Sequence, residues 1–310
     1  MTLSRLPVRQ QFASLWSLGG VTWLQLGRRV WKEIGRNDLI NRAYELAFNF
    51  LLAVFPMVFF LFALLGLFVS ERTVLRSNFL TYVRLALPPS AYQIVLQTVH
   101  EITGNAVAGK MTFGLLFALY AGSAGMTQLM STLNAAYDVP EERSWIKAHV
   151  ISVGLTLAMS ILVVAALLLI LLGGRLIAYA GAYVGMNEVA LVAAKVLEWT
   201  AALAFVVLAF AVVYYFAPDV EEQHWFWITP GSVIGMILWA AASVGLRIYL
   251  HFFNTFTRSY GSLGAVIILM MWFYVAGLSV LIGGQINATI EQAAAEHGHG
   301  EARERGRKAA

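Results

Sequence analysis

Six long apolar runs dominate the chain, and shorter polar stretches separate them. Each run has roughly the 20 residues that a helix needs to cross about 30 Å of hydrocarbon. The runs lie at 47–69, 112–134, 149–172, 196–217, 229–250 and 263–286. The pattern predicts an all-α fold, a polytopic membrane helix bundle with about six transmembrane helices and additional amphipathic interfacial helices.

Two amphipathic stretches lie outside these runs. Residues 10–42 mix Trp16, Trp23 and Trp31 with arginine and lysine, which is typical of a helix at the headgroup level. After two prolines, residues 88–103 place apolar side chains at helical spacing, which predicts an external surface helix. We therefore expect the following organisation: an N-terminal interfacial segment at 1–42, a six-helix domain at 43–290 with an external helical segment at about 71–110, and a polar cytoplasmic tail at 291–310.

The composition agrees with a membrane protein. The chain is 59% hydrophobic and only 12% charged, whereas soluble domains carry about 25% charged residues. The formal net charge is +4, but the basic residues cluster beside apolar runs. Membrane lipids are therefore the expected partners, nucleic acid is not expected, and the sequence allows a homo-oligomer. The chain has no cysteine, so it has no disulfide and no thiolate nucleophile.

The distribution of lysine and arginine predicts the orientation. In the six-helix arrangement, 13 of the 21 basic residues lie on the side that holds both termini. Basic loops face the cytoplasm in such proteins. We therefore expect both termini of this multi-pass membrane protein to be cytoplasmic.

Enzyme motifs are absent from the sequence. It has no HExxH, no phosphate-binding glycine loop, no GxSxG and no paired carboxylates at ligand spacing. His297 and His299 form an HxH pair, which either binds metal weakly or is part of a solvated tail. We expect no enzymatic activity, no catalytic residue, no metal and no cofactor.

Polar side chains recur at helical spacing within two of the apolar runs. One stripe contains Tyr120, Ser123, Thr127, Ser131 and Asn134, with Gln128 nearby, and a second contains Ser152, Thr156 and Ser160. Such stripes face another helix or line a water-accessible cavity. Packing is favoured for serine and threonine, whose hydroxyls can bond their own helix. Both interpretations stay open for Gln128 and Asn134.

Other residues interrupt the apolar runs. Asn49 and Pro56 lie in the first, where the proline predicts a kink or, alternatively, a hinge. Arg247 lies near the external end of the fifth, where it either reaches the headgroups or contacts an anionic substrate. Gly231 and Gly235 form a GxxxG pair, which usually indicates close helix packing.

Glycines and amides frame the sixth run. Tyr260, Gly261, Ser262 and Gly264 precede it, and glycine there permits unusual torsions or tight helix crossings. Gln285 and Asn287 follow near its inner end, where helix termination and capping is the simplest interpretation. The candidate cavity or gate residues are Asn49, Pro56, Gln128, Ser131, Asn134, Arg247, Tyr260, Gly261, Ser262, Gly264, Gln285 and Asn287.

Five stretches together resemble the YihY/BrkB family of bacterial inner-membrane proteins, also known as ribonuclease BN-like. They are AYELAFNFLLAVFPMVFFLFALLGLF at 43–68, LPPSA at 87–91, LNAAYDVPEERSW at 133–145, YYFAPDVEEQHWFWITPG at 214–231 and TRSYGSLGAVIILMMWFYVAGLSVLIGGQINA at 257–288. The resemblance implies six helices, an inner-membrane location and a role in transport or lipid export. The chain has Asn49 where the family commonly has an aromatic residue, and Gln285 where it commonly has glutamate.

These observations lead to two hypotheses about the function, given in order of preference. The first is a transporter or flippase-like permease for a lipid, an amphiphile or an anionic solute. The second is an envelope scaffold that binds lipid or partner proteins without transport. A ribonuclease is disfavoured, because the sequence lacks the clustered acids, histidines or metal site that nucleases use.

Overall fold

The computed structural model describes residues 16–68, 108–185, 187–220, 229–252, 262–297 and 306. A short 3-10 helix, Leu18–Gly20, comes first. Seven longer helices follow: α1 (Trp23–Arg36), α2 (Leu39–Phe68), α3 (Ala108–Ala136), α4 (Trp145–Val184), α5 (Glu188–Phe216), α6 (Pro230–Phe252) and α7 (Ser262–Glu296). These ranges contain helices and no strand, so the all-α prediction is confirmed.

Four of the described helices, α4 to α7, are long and apolar enough to cross a membrane. The predicted membrane helix bundle is therefore confirmed as a fold class. Helices α2 and α3 have 30 and 29 residues and contain most of the first two predicted spans. The count of six spans stays a prediction.

Helices α2 to α7 run alternately up and down, and α7 lies at the centre. It packs against α1, α2, α3 and α6, while α4 packs against α3 and α5. The residues around Asp138, Asp219 and Thr229, together with α1 and the end of α7, meet at one end of the bundle. We call this end the terminal face, because both described chain ends lie there.

Helix α7 crosses α6 at very short range because both helices have glycine at the crossing. A side-chain carbon on Gly231 would overlap the Gly283 carbonyl oxygen, and one on Gly283 would overlap the Tyr214 hydroxyl. That hydroxyl donates to the Val280 carbonyl oxygen at 2.8 Å. The GxxxG pair of α6 thus serves close packing of α5, α6 and α7.

The hairpin of α4 and α5 extends beyond the spans predicted at 149–172 and 196–217. No proline interrupts residues 173–184, so α4 continues until Gly185, which has a left-handed φ of 68°. Asn187 then caps α5 by accepting a hydrogen bond from the Ala190 amide at 2.9 Å. Residues 173–184 and 188–195, between the two predicted spans, are therefore helical.

Helix α1 is amphipathic, as its sequence predicts. Thr22 and Gln25 form a capping box at its start. The helix buries Leu26 and Val30 against α7, where Ile290 is fully buried. This contact also explains why α7 continues to Glu296, past the boundary expected at 290.

Several predicted features lie outside the described residues. They are nearly all of the external segment at about 71–110, the HxH histidine at 299, Tyr260 and Gly261. Pro56 lies inside α2, and the helix continues on both sides of it.

Candidate functional site

A cavity of about 600 Å³ opens on the terminal face between α1, α2 and α3. We call it the end cavity. Its walls include Arg36, Arg42, Ser131, Asn134 and Glu141. The structure thus brings two predicted site residues, Ser131 and Asn134, to the same cavity.

Asn134 lines this cavity while both ends of its amide are engaged. Its Nδ2 donates to Glu141 Oε2 at 2.8 Å, and its Oδ1 accepts from the Asp219 backbone amide at 2.7 Å. The side chain is buried. Asn134 therefore joins the end of α3 to the segment that follows α5.

Arg143 completes this connection. Its guanidinium donates to both Glu141 oxygens at 2.7 and 2.6 Å and to the Ala217 carbonyl oxygen at 2.9 Å. Asp219 lies 3.6 Å from Arg143 Nε, and only 4% of the arginine side chain is exposed. We call Asn134, Glu141, Arg143 and Asp219 the Arg143 cluster; it joins the stretches at 133–145 and 214–231.

The Arg143 cluster changes the acidity of Glu141. Partial burial of the carboxyl raises its pKa, but the hydrogen bonds and charge of Arg143, together with the Asn134 amide, outweigh this effect. The pKa of Glu141 therefore lies below its ordinary value of 4.5.

This depressed pKa predicts a loss of stability in acid. As the pH falls, the unfolded chain protonates Glu141 first, so its stabilisation is complete above about pH 4.5 and is lost as the pH falls through the folded pKa. Thermal unfolding of the detergent-solubilised protein between pH 6 and 3, at about half-unit steps, measures this effect. The Glu141→Gln variant should show a shallower decline, and an identical decline in both proteins would contradict the assignment.

A line of polar side chains leads from the end cavity along the junction of α2 and α3. Gln128 Nε2 lies 3.4 Å from Glu45 Oε2, and Asn49 Nδ2 donates to the Glu45 carbonyl oxygen at 2.8 Å. Glu45 and Ser131 are exposed, and Asn49 and Gln128 are half-buried. We call Arg42, Glu45, Asn49, Gln128 and Ser131 the polar seam.

The polar seam extends into the first two predicted spans. Gln128 lies eight residues before the end of α3, about 12 Å along the helix axis, and Asn49 lies ten residues after the start of α2, about 15 Å along it. The predicted spans at 47–69 and 112–134 include Asn49, Gln128 and Ser131. Within a membrane span, polar groups that do not face the bundle interior are unusual.

The hydroxyl stripes have a different role from the seam. Each of five hydroxyls donates to a carbonyl of its own helix, three or four residues earlier: Ser123, Thr127, Ser152, Thr156 and Ser160. All except Thr127 are buried. The four buried hydroxyls therefore serve helix packing, as expected for serine and threonine, whereas Ser131 of the first stripe lines the end cavity.

Gln285 and Asn287 do not end a helix, because α7 continues past both. Gln285 is fully buried, accepts from Asn37 Nδ2 at 3.0 Å and is 3.4 Å from Thr289 Oγ1. Asn287 accepts from the Gly231 amide at 2.9 Å and donates to Thr229 Oγ1 at 3.0 Å. The prediction that these two residues end the helix is therefore wrong. Asn287 does cap a helix, because it accepts a hydrogen bond at the start of α6.

The remaining candidates lie away from the end cavity. Arg247 is exposed near the far end of α6, opposite the terminal face, and Ser262 and Gly264 lie in the first turn of α7. In the described ranges, no group of three or more histidine, aspartate or glutamate residues could hold a metal ion.

Five residues of the polar seam and the Arg143 cluster were missed in the sequence: Arg42, Glu45, Glu141, Arg143 and Asp219. Glu45 lies just before the first apolar run, and Arg143 and Asp219 lie in loops. The sequence feature that could have identified Glu45 as a site residue is its charge directly beside a predicted span. Nothing in the spacing of Arg143 and Asp219 predicts that they meet.

Comparisons with known proteins agree with this architecture. The model of the virulence factor BrkB family matches residues 30–307. The putative ribonuclease-like protein YfkH of Bacillus subtilis is 31% identical over 81% of this chain and 90% of its own length. A UPF0761 membrane protein of Alteromonas mediterranea is 26% identical over 84% of this chain and 86% of its own. No solved structure matches. The chain is an integral membrane protein that belongs to the virulence factor BrkB family.

Proposed function

We propose that this protein is a flippase-like permease that moves a lipid or another anionic amphiphile along the polar seam. The carrying observation is the contact between Glu45 and Gln128 at the α2–α3 junction, next to exposed Ser131. Polar side chains at membrane depth give a headgroup hydrogen-bonding partners while its acyl chains stay in the bilayer.

One cation of the end cavity, Arg42, supports an anionic headgroup, while the lining also includes Asp38, Asp138 and Glu141. Arg42 donates from Nε to the Asn37 carbonyl oxygen at 3.0 Å, and no described carboxylate pairs with its guanidinium. Arg36, by contrast, is paired with Glu33 and Asp138. Arg42 thus has donors for a phosphate or carboxylate at the entrance of the seam.

We further propose that the terminal face lies in the cytoplasm of a bacterial inner membrane. Arg28, Lys32, Arg42 and Lys147 lie at this end of the bundle, in agreement with the positive-inside rule. The end cavity would then take its substrate from the inner leaflet.

Reconstitution tests the proposal. Liposomes that contain the purified protein and a trace of fluorescent phospholipid should exchange that lipid between leaflets faster than empty liposomes. Arg42→Gln, which removes the positive charge at the entrance of the seam, should slow the exchange of an anionic lipid. Rates equal to those of empty liposomes for anionic and zwitterionic lipids and for an anionic amphiphile would refute the permease.

A specific surface favours the alternative, a scaffold without transport. The outward side of α1 exposes Trp23, Leu24 and Trp31 at 59%, 66% and 76%. Arg28 and Lys32 lie on the same helix, so this side fits an anionic membrane surface or a protein partner. In-cell crosslinking from position 31 should capture a stoichiometric protein if the scaffold is correct and mainly lipid if the permease is.

A further inference from the structure

A second cavity, of about 430 Å³, lies between α1 and the end of α7. We call it the side cavity, and it shares no lining residue with the end cavity. Its lining includes Arg29, Lys32 and Glu33 on α1 and Thr289, Gln292 and Glu296 on α7. An ion pair at 2.6 Å joins the two linings, because Glu33 belongs to the side cavity and Arg36 to the end cavity.

The side cavity contains two cations and two carboxylates, but both carboxylates are already paired. Glu296 accepts from Arg29 at 2.7 Å. Glu33 is buried and pairs with Arg36, which lies outside the side cavity. Among the described residues, no group pairs with the Lys32 ammonium or bonds to the side-chain amide of Gln292. The side cavity therefore has one unpaired positive charge and one unused amide donor.

The side cavity lies just beyond the end of the sixth apolar run. That run ends at 286, and Thr289 and Gln292 follow it by three and six residues, about 4.5 and 9 Å along the helix axis. The headgroup layer begins where the hydrocarbon ends and is about 5–8 Å thick. On α1, Trp31 is 76% exposed next to Lys32, and tryptophan is enriched at this level of a membrane. The side cavity is therefore within reach of lipid phosphates.

We propose that the side cavity binds the headgroup of one anionic phospholipid, with the phosphate at Lys32 and Gln292. An ammonium and an amide N–H both donate to phosphate oxygens. The phosphodiester supplies one negative charge, which matches the one unpaired cation. Basic pockets between membrane helices bind anionic headgroups in this way. The side cavity holds this lipid rather than moving it, so the inference goes beyond transport along the polar seam and does not depend on it.

A single thiol in the side cavity tests this proposal on the full-length protein, which has no cysteine of its own. Ala295→Cys places the thiol in the lining of the side cavity. Gly27→Cys is the reference, because a side-chain carbon at this exposed position of α1 would meet nothing within 4 Å. Phosphatidylglycerol added to the detergent micelles should slow alkylation of Ala295→Cys by N-ethylmaleimide at least threefold and leave Gly27→Cys unchanged. Phosphatidylcholine and inorganic phosphate should slow neither.

Two charge variants, each combined with Ala295→Cys, make the test specific. Lys32→Gln removes the unpaired cation and should abolish the protection by phosphatidylglycerol. Arg28→Gln removes an exposed cation of the same helix that does not line the side cavity, so it should keep the protection. Both changes are at exposed positions, and size-exclusion chromatography should show the same folded species for each. Absent protection, protection that survives Lys32→Gln, or equal loss in both variants would overturn the proposal. Equal protection by inorganic phosphate or phosphatidylcholine would also overturn it.

Discussion

Gly283→Ala is expected to destabilise the bundle strongly. The added carbon would overlap the Tyr214 hydroxyl and lie 2.6 Å from the Gly231 carbonyl oxygen. The backbone atom cannot move away without separating α6 from α7. Overpacking typically costs about 1–3 kcal/mol, and we expect the upper part of this range because one obstacle is backbone.

Thermal unfolding in detergent, followed by size-exclusion chromatography, measures this effect. Gly245→Ala is the matched control, because an alanine side chain at this position of α6 would meet nothing within 4 Å. Tyr214→Phe should not rescue Gly283→Ala, since the Gly231 carbonyl remains in place. If Gly283→Ala and Gly245→Ala unfolded at the same temperature, this would contradict the close crossing of α6 and α7 at Gly283.

Arg143→Met should also be strongly destabilising. The change removes the positive charge that faces Glu141 and Asp219 and the donor to the Ala217 carbonyl. Breaking a buried pair by removing one partner typically costs about 3–5 kcal/mol. We expect the lower end, because the Glu141 side chain is 36% exposed.

An exposed ion pair on the same face is the control for Arg143→Met. Arg29 pairs with Glu296 at 2.7 Å, with 39% and 58% of the two side chains exposed. Such surface pairs contribute about 0–1 kcal/mol, so Arg29→Met should unfold close to wild type. Equal losses of stability in Arg143→Met and Arg29→Met would contradict this expectation. The buried Arg143 cluster would then contribute no more to stability than an exposed ion pair does.

The apolar runs predicted the fold class because a membrane helix must bond its backbone internally over the full thickness of the bilayer. Helix ends were predicted less well. Apolar length does not limit a helix that extends beyond its apolar run. Helix α4 therefore continues to Val184 and α7 to Glu296, where contacts with the N-terminal segment stabilise it.

The candidate site was predicted only in part. Helical spacing identified Ser131 and Asn134, but it could not show that Asn134 bonds to Glu141 and Asp219, because the second contact joins distant parts of the chain.

Lipid exchange with a blocked seam tests the proposed permease most directly. Ser131→Trp places an indole at the exposed junction of the end cavity and the seam. Leu157→Trp places the same bulk on α4, where Leu157 is 38% exposed. In liposomes with equal amounts of folded protein, Ser131→Trp should reduce the protein-dependent exchange of fluorescent phospholipid at least tenfold, and Leu157→Trp should leave it unchanged. Equal rates for Ser131→Trp and wild type would contradict movement of lipid along the polar seam.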